Sequence, residues 1–555
     1  MQLPAAPTLL LAAGGMALVL GRWVTSSRWY GWIWLAAVAG AGCLLPFREL
    51  ADASAPRSVW TGDAFAIVGQ ATALLLGSLF GLGCFTIPKT CDRTAERYGF
   101  LSVQIAAVML VSCSNDLITL ALAVEVVQIT AWALRRVDQM ESLARSSQSP
   151  LDPEKIPNDE VHVWLGIIAS CCLWIGVAWM ANMTGTTHFD QIRLVLTDAY
   201  VPDESRAVIG TGSRFGMVAI GLMIAGLGSR IGLVPWQLGI IAGWKNVGYW
   251  TMGCVLLSSQ LTGVLSLARL CGTVWAGYRD EILVILLVVG GLTSMASASL
   301  AGTGLIQGEG RIRRWTISLL MMHGAWLIVG VMATVADLAI PAHGLASAGG
   351  QPGAMSILLF SLGCGQVGLA GVFLTLAYFS RNDRDIEFFD ELLGLGSRHF
   401  APAVCLLLNL ASLIGHPPLA GFWSNWLLIV VGFNVRAQGG PENSIPHAGL
   451  ILLLICVSVA TFAAACLAIR LVRIIWLEQS MTSAPWQGRR SALITGCATA
   501  ALLTGIGLYP APLLRGLGNV RQPATSSGRE GPAPGGSNRG TRSVQREPRS
   551  SRSSG

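Results

Sequence analysis

Apolar residues fill this chain in long blocks separated by short polar segments. Fourteen blocks stand out, at about 6–21, 29–46, 62–86, 99–114, 116–134, 162–183, 208–240, 247–271, 280–304, 315–338, 354–379, 401–433, 447–476 and 491–514. A helix needs about 20 apolar residues to cross a ~30 Å hydrocarbon core. The pattern therefore predicts an all-α polytopic membrane protein. The fourth and fifth blocks are parted only by Ser114-Asn115-Asp116. The seventh and twelfth are too long for one straight span, and each contains Pro and Gly. In the twelfth the run is Leu413-Ile414-Gly415-His416-Pro417-Pro418-Leu419-Ala420-Gly421-Phe422-Trp423. Proline removes a backbone donor and breaks the helical ladder. In lipid the freed carbonyls need protein or water as partners. Pro235, Pro417 and Pro418 thus mark either kinked, packed helices or breaks that line a buried polar path.

Composition agrees: 53% of residues are hydrophobic and 12% charged, against about 25% charged in soluble domains. The mean hydropathy is +0.58. The first apolar block lacks a basic leader, so no cleavable signal is expected. With the N-terminus outside, the loops facing the cytoplasm hold Arg22, Arg28, Lys89, Arg93, Arg97, Arg135, Arg136, Arg145, Lys155, Lys245, Arg311, Arg313, Arg314, Arg381, Arg384, Arg398, Arg470, Arg473, Arg489 and Arg490. The other loops hold only Arg48, Arg57, Arg193, Arg206, Arg214, Arg279 and Arg436. That asymmetry supports the N-out arrangement. The segment 519–555, rich in Gly, Ser, Pro and Arg, reads as disordered. The loop 136–160 is the other sizeable polar stretch. The net charge of +7 comes mostly from the tail and says little about partners; no nucleic-acid role is expected.

The thirteen cysteines are mostly single and within apolar blocks, where Cys behaves as a small hydrophobe. No CxxC pair, P-loop, GxGxxG or HExxH is present, so no metal, redox centre or cofactor is expected in this chain. The informative residues are polar ones at membrane depth, which by default mark a pathway or a paired site. They are Glu125 in the fifth block, Arg230 in the seventh, Gln260 in the eighth, His323 in the tenth, and His416 and Asn425 around the twelfth-block break. A lone His in an apolar helix is more often structural than a proton carrier. A single Glu at mid-span needs a partner.

Several segments, in order, resemble the antiporter-like membrane subunits of the proton-pumping NADH-quinone oxidoreductase (respiratory complex I), and among them subunit N. These are Asp116-Leu117-Ile118-Thr119-Leu120 followed by Glu125, then Thr184-Gly185-Thr186-Thr187-His188-Phe189-Asp190-Gln191-Ile192, and the Arg230 segment up to Trp236. Arg313-Arg314 with His323-Gly324, Pro417 to Phe422, and Leu471-Val472-Arg473-Ile474-Ile475-Trp476 follow. The similarity spans about residues 60–515.

The resemblance implies fourteen transmembrane helices containing two inverted five-helix repeats, with the seventh and twelfth discontinuous. On that frame, 1–98 holds the first three helices, 99–271 and 280–476 the two repeats, 491–514 the last helix and 515–555 the tail. The family pairs a fifth-helix Glu with a seventh-helix Lys and places further titratable residues in the eighth and twelfth helices. Here the matching positions are Glu125, Arg230, Gln260 and Asn425. Arg stays protonated where Lys can cycle, and amides cannot store a proton. His323 and His416 are then the titratable groups left near the break.

The resemblance implies a membrane-arm subunit in a bacterial inner membrane. Its partners would be other membrane subunits and lipid, with NADH and quinone handled elsewhere in the complex. Two alternatives stand beside this. One is a conduction-dead structural subunit of the same complex. The other is a subunit of a multisubunit cation/proton antiporter or of a membrane-coupled transporter of inorganic carbon.

Overall fold

The computed structural model describes residues 6–20, 30–45, 59–84, 93–146, 160–198, 206–244, 247–306, 311–337, 353–379, 386–438, 444–478 and 490–517. The first helices are α1 (Ala6–Leu20), α2 (Tyr30–Leu44), α3 (Ala64–Cys84), α4 (Thr94–Cys113), α5 (Leu117–Ser146), α6 (Glu160–Thr184) and α7 (Phe189–Asp198). Then come α8 (Arg206–Ile231), α9 (Gln237–Ala242), α10 (Tyr249–Thr273), α11 (Arg279–Ile306), α12 (Ile312–Asp337) and α13 (Ala354–Tyr378). The last are α14 (Leu395–Arg398), α15 (Phe400–Ile414), α16 (Ala420–Gln438), α17 (Ser444–Trp476), α18 (Arg490–Leu508) and α19 (Ala511–Leu517). Among the described residues, β structure is limited to three isolated bridges.

Every apolar block falls on one of these helices or on a broken pair. The seventh is α8 and α9, and the twelfth is α15 and α16. Among the described residues nine helices are long and apolar enough to cross a membrane, or ten if the strongly bent segment Phe389–Ile414 counts as one. α1, α2, α16 and the apolar stretch Phe215–Ile231 are shorter. This is a multi-pass membrane protein. Its centre is α12, whose apolar stretch is wholly buried, with α10 and α13 nearly so. α6, by contrast, turns most of its surface outward.

The polar loop expected over 136–160 is helical as far as Ser146. α5 runs on to Ser146 because its acidic residues at 138 and 141, three apart and on one face, meet a buried arginine of α4. Arg97 Nη2 donates to Asp138 Oδ1 at 2.5 Å and to Glu141 Oε2 at 2.6 Å. Asp138 Oδ2 also accepts from the Gly248 backbone N–H at 2.9 Å, which ties in the start of α10. At the other end of α5, Asp116 accepts from the Thr119 N–H at 3.0 Å. This is the N-cap geometry that short acidic side chains favour. The Thr187 hydroxyl also donates to Asp116, and the Leu117 N–H donates to the Thr187 carbonyl at 2.9 Å. The fifth-helix segment and the Gly-Thr-Thr segment, separate in sequence, are thus one contact. Gly185 makes the turn out of α6 at φ 70°, a conformation that favours glycine.

The tail from 518 onward, 147–159, and the loop cations Arg22, Lys89, Lys245 and Arg381 lie outside the described residues.

Candidate functional site

The two helix breaks have one backbone design. α8 ends on Ile231 and Gly232 follows at φ 87°; α15 ends on Ile414 and Gly415 follows at φ 88°. Leu233 N–H donates to Gly228 O at 2.9 Å, and His416 N–H donates to Ala411 O at 2.9 Å. This six-to-one closure with a left-handed glycine is a helix C-terminal motif that satisfies otherwise orphaned carbonyls. Trp236 N–H then turns back to Leu233 O at 2.9 Å, and Leu419 N–H to His416 O at 3.1 Å. Pro235 and Pro418 each follow a cis peptide bond in these turns.

Arg230 stands in the last turn before the first break. α6 and α8 approach closely there. A Cβ on Gly226 would meet Ala169 O at 2.8 Å, and one on Gly176 would meet Met223 Cγ at 2.6 Å. Glycines at such crossings let membrane helices pack backbone to backbone. The closeness brings Ser170 of α6 against Arg230. Arg230 Nη2 donates to Ser170 Oγ at 2.9 Å and to Glu125 Oε1 at 3.3 Å. Ser170 Oγ donates to Glu125 Oε2 at 3.0 Å. Both carboxylate oxygens accept. The guanidinium is almost fully buried and the carboxylate is 19% exposed. Arg230 Nε is buried and has no hydrogen-bond partner among the described residues.

The triad forms part of the wall of a cavity of about 600 Å³ between α5, α6 and the α8–α9 break. Gln128, Arg135, His162, Trp236 and Leu320 also line it. Leu320 is a shared wall: its carbonyl, on α12, accepts from Gln260 Nε2 at 2.9 Å. That bond fixes which way the Gln260 amide faces, because a carbonyl needs a donor. Gln260 Oε1 therefore points the other way, and accepts from Gln366 Nε2 at 3.0 Å and from His323 Nδ1 at 3.1 Å. His323 thus donates from Nδ1, and its Nε2 lies 3.5 Å from the Ser361 carbonyl. Gly365 makes room for the ring, since a Cβ there would lie 1.8 Å from His323 Nε2. Gln366 Oε1 and Asn409 Oδ1 are buried acceptors without partners among the described residues.

The structure brings together Glu125 with Arg230, and Gln260 with His323. It does not bring His416 to His323. His416 is exposed, with its Nδ1 donating to the Pro417 carbonyl at 2.6 Å. Asn425 places its amide nitrogen against Gly415, 2.7 Å from where a Cβ would stand. Ser170, Gln366 and His162 were not singled out from the sequence. Gln366 carried the same signal as Gln260, an amide at mid-span. Ser170 carried little, because helical serines usually bond their own helix.

Comparison with known proteins adds the lineage. Residues 161–439, half of the chain, match the family model described as NADH:quinone oxidoreductase/Mrp antiporter, TM. The chain belongs to this family. It is 25% identical over 433 residues to NADH-quinone oxidoreductase subunit N of Erythrobacter litoralis, covering 76% of this chain and 80% of that one. Its fold is shared with a chain of respiratory complex I from Thermus thermophilus at a TM-score of 0.66 and 17% identity, over 92% of this chain and 99% of the other. It is shared equally with a chain of the Mrp complex from Dietzia sp. at 0.68 and 16%, over 94% and 97%. Fold alone does not separate the two branches; the sequence relatives are named subunit N of NADH-quinone oxidoreductase.

Proposed function

We propose that this chain is a subunit N-type membrane subunit of a proton-translocating NADH-quinone oxidoreductase, lying in a bacterial inner membrane with its N-terminus outside. Electron transfer from NADH to quinone belongs to partner subunits, and this chain contributes a proton path without a redox group of its own. The observation that carries the reading is the Glu125–Ser170–Arg230 triad, with its guanidinium buried, beside a helix break and facing a cavity. A buried ion pair is weak evidence for stability, and ionisable groups at this depth point to a pathway.

The chemistry follows from the residue types. Arg230 stays charged, so Glu125 is the member that gains and loses a proton. Protonating Glu125 removes the counter-ion of Arg230 and turns one accepting oxygen into a donor. Loading a proton therefore forces the guanidinium to find new partners. Beyond the Leu320 wall, the amides of Gln260 and Gln366 orient hydrogen bonds without storing a proton, and His323 is the titratable side chain among them.

The structural-subunit reading keeps one supporting observation: the second break carries Leu413 where the first carries Arg230. Glu125→Gln separates the readings. In inverted membrane vesicles holding an intact complex, NADH-driven proton uptake should fall in this variant while NADH oxidation by an artificial acceptor is unchanged. Full proton stoichiometry in an intact Glu125→Gln complex would leave the structural role. A purified assembly without flavin and iron–sulfur subunits would point to the antiporter branch.

A further inference from the structure

We propose that His162 is the group that delivers protons from the aqueous side to Glu125, an inference that rests on the reading of the triad as a proton site. His162, Gly166, Ser170 and Trp174 lie four residues apart on α6 and all line the same cavity as Glu125. Residues so spaced share one face of a helix. The stripe therefore leads from the first turn of α6 to the triad, over about 12 Å at 1.5 Å per residue. His162 lies at the end of α6 that follows the polar segment 136–160, the side where protons enter on the N-out topology.

Between His162 and Ser170 the stripe is held open. A Cβ on Gly166 would stand 3.2 Å from Gln128 Nε2, so glycine leaves the Gln128 amide of α5 space in the gap. A cavity of about 600 Å³ has room for a file of waters, each of which takes about 30 Å³ in the liquid.

The ring of His162 is oriented for exchange. Its Nδ1 lies 3.0 Å from Gly239 O, and a carbonyl accepts only, so Nδ1 keeps its hydrogen in both protonation states. Nε2 is the nitrogen that takes up and releases the proton. Trp244 packs edge-on to the ring at 6.2 Å between centroids, and the Arg135 guanidinium lies over the other partner of that contact, 5.0 Å from the Trp244 centroid. The charged and titratable groups sharing the cavity are Glu125 and Arg135 of α5, Cys171 of α6 and Arg230 of α8. Arg313 of α12 reaches the Trp244 carbonyl. The sequence of α9, which supplies Gly239, has no charged residue.

The step balances as one proton moved. Imidazolium at His162 releases its Nε2 proton to cavity water, the water file passes a proton to a Glu125 carboxylate oxygen, and neutral His162 is reprotonated from the aqueous phase. Both neighbouring arginines keep their protons throughout.

The test uses the assembled complex in inverted vesicles. His162→Gln keeps an amide donor for Gly239 O but cannot exchange a proton. It should lower the rate of NADH-driven proton uptake several-fold, most strongly at alkaline pH where free protons are scarce. His162→Ala should show the same loss, reversed in a saturable way by added imidazole. Imidazole should change neither the wild type nor Glu125→Gln. Gly166→Leu, which fills the gap while leaving His162 in place, should give a loss that imidazole does not reverse. Wild-type rates for His162→Gln across the pH range, or a His162→Ala defect indifferent to imidazole, would overturn the proposal. If Glu125→Gln abolishes uptake while His162→Gln is silent, only this inference fails. If both are silent in an intact complex, the underlying proton-site reading fails as well.

Discussion

The breaks at Gly232–Trp236 and Gly415–Leu419 share a left-handed glycine, the same six-to-one closure and the same returning N–H, yet differ in chemistry. At the first, Arg230 precedes the break, with a carboxylate and a hydroxyl delivered by α5 and α6. At the second the equivalent residue is Leu413, and the titratable residue on the turn, His416, faces outward. Gly and Pro are enough to make a broken helix. What the break can do is set by side chains from the helices packed against it.

The largest test of this contrast makes the first break resemble the second. Arg230→Leu would leave the half-buried Glu125 carboxylate with Ser170 alone; removing one partner of a fully buried pair costs about 3–5 kcal/mol, and the partial exposure of Glu125 lowers that cost. We expect little assembled complex in membranes, with partial recovery when Glu125→Gln is added. Equal yields of the single and double variants would show that the two side chains are not coupled. The converse change, Leu413→Arg, puts a cation into the second break with no carboxylate described beside it. A charge at that depth costs about 2.5–3.5 kcal/mol on insertion scales. Assembly should fall here too, without rescue by Glu125→Gln; normal assembly would mean that the second break already reaches an anion or water. The smallest effects come from Gly232→Ala and Gly415→Ala, each about 1–2 kcal/mol for a left-handed non-glycine residue. Gly415→Ala should cost more, because its Cβ meets Asn425 Nδ2 at 2.7 Å whereas at Gly232 the nearest atom is Ile240 Cδ1 at 3.2 Å. Melting of the purified complex would rank them; a neutral result at either glycine would break the backbone equivalence.

Much of this was legible in the chain. Long apolar blocks locate the helices because lipid tolerates few other spanning structures. The overlong seventh and twelfth blocks announced their breaks through Gly and Pro. A mid-span Glu and Arg invited pairing, since neither charge is affordable alone at that depth. The third member, Ser170, was hidden because its role depends on a close α6–α8 crossing set by Gly176 and Gly226. The helical course of 136–146 was hidden for a similar reason: its charges look solvated until Arg97, on another helix, faces them. His416 misled for the opposite reason, because proximity in sequence to a break does not say which way a side chain turns.

One consequence concerns where motion originates. α5 is a beam pinned at both ends, by Asp116 to the Thr187 turn and by Asp138 and Glu141 to Arg97. Glu125 rides near the middle of that beam. When the triad opens, the carboxylate is the fixed post, and the hinge belongs to the α8–α9 break that carries Arg230. Spin labels on α5 and α4 should hold their separation through turnover, while a label on α9 moves against both.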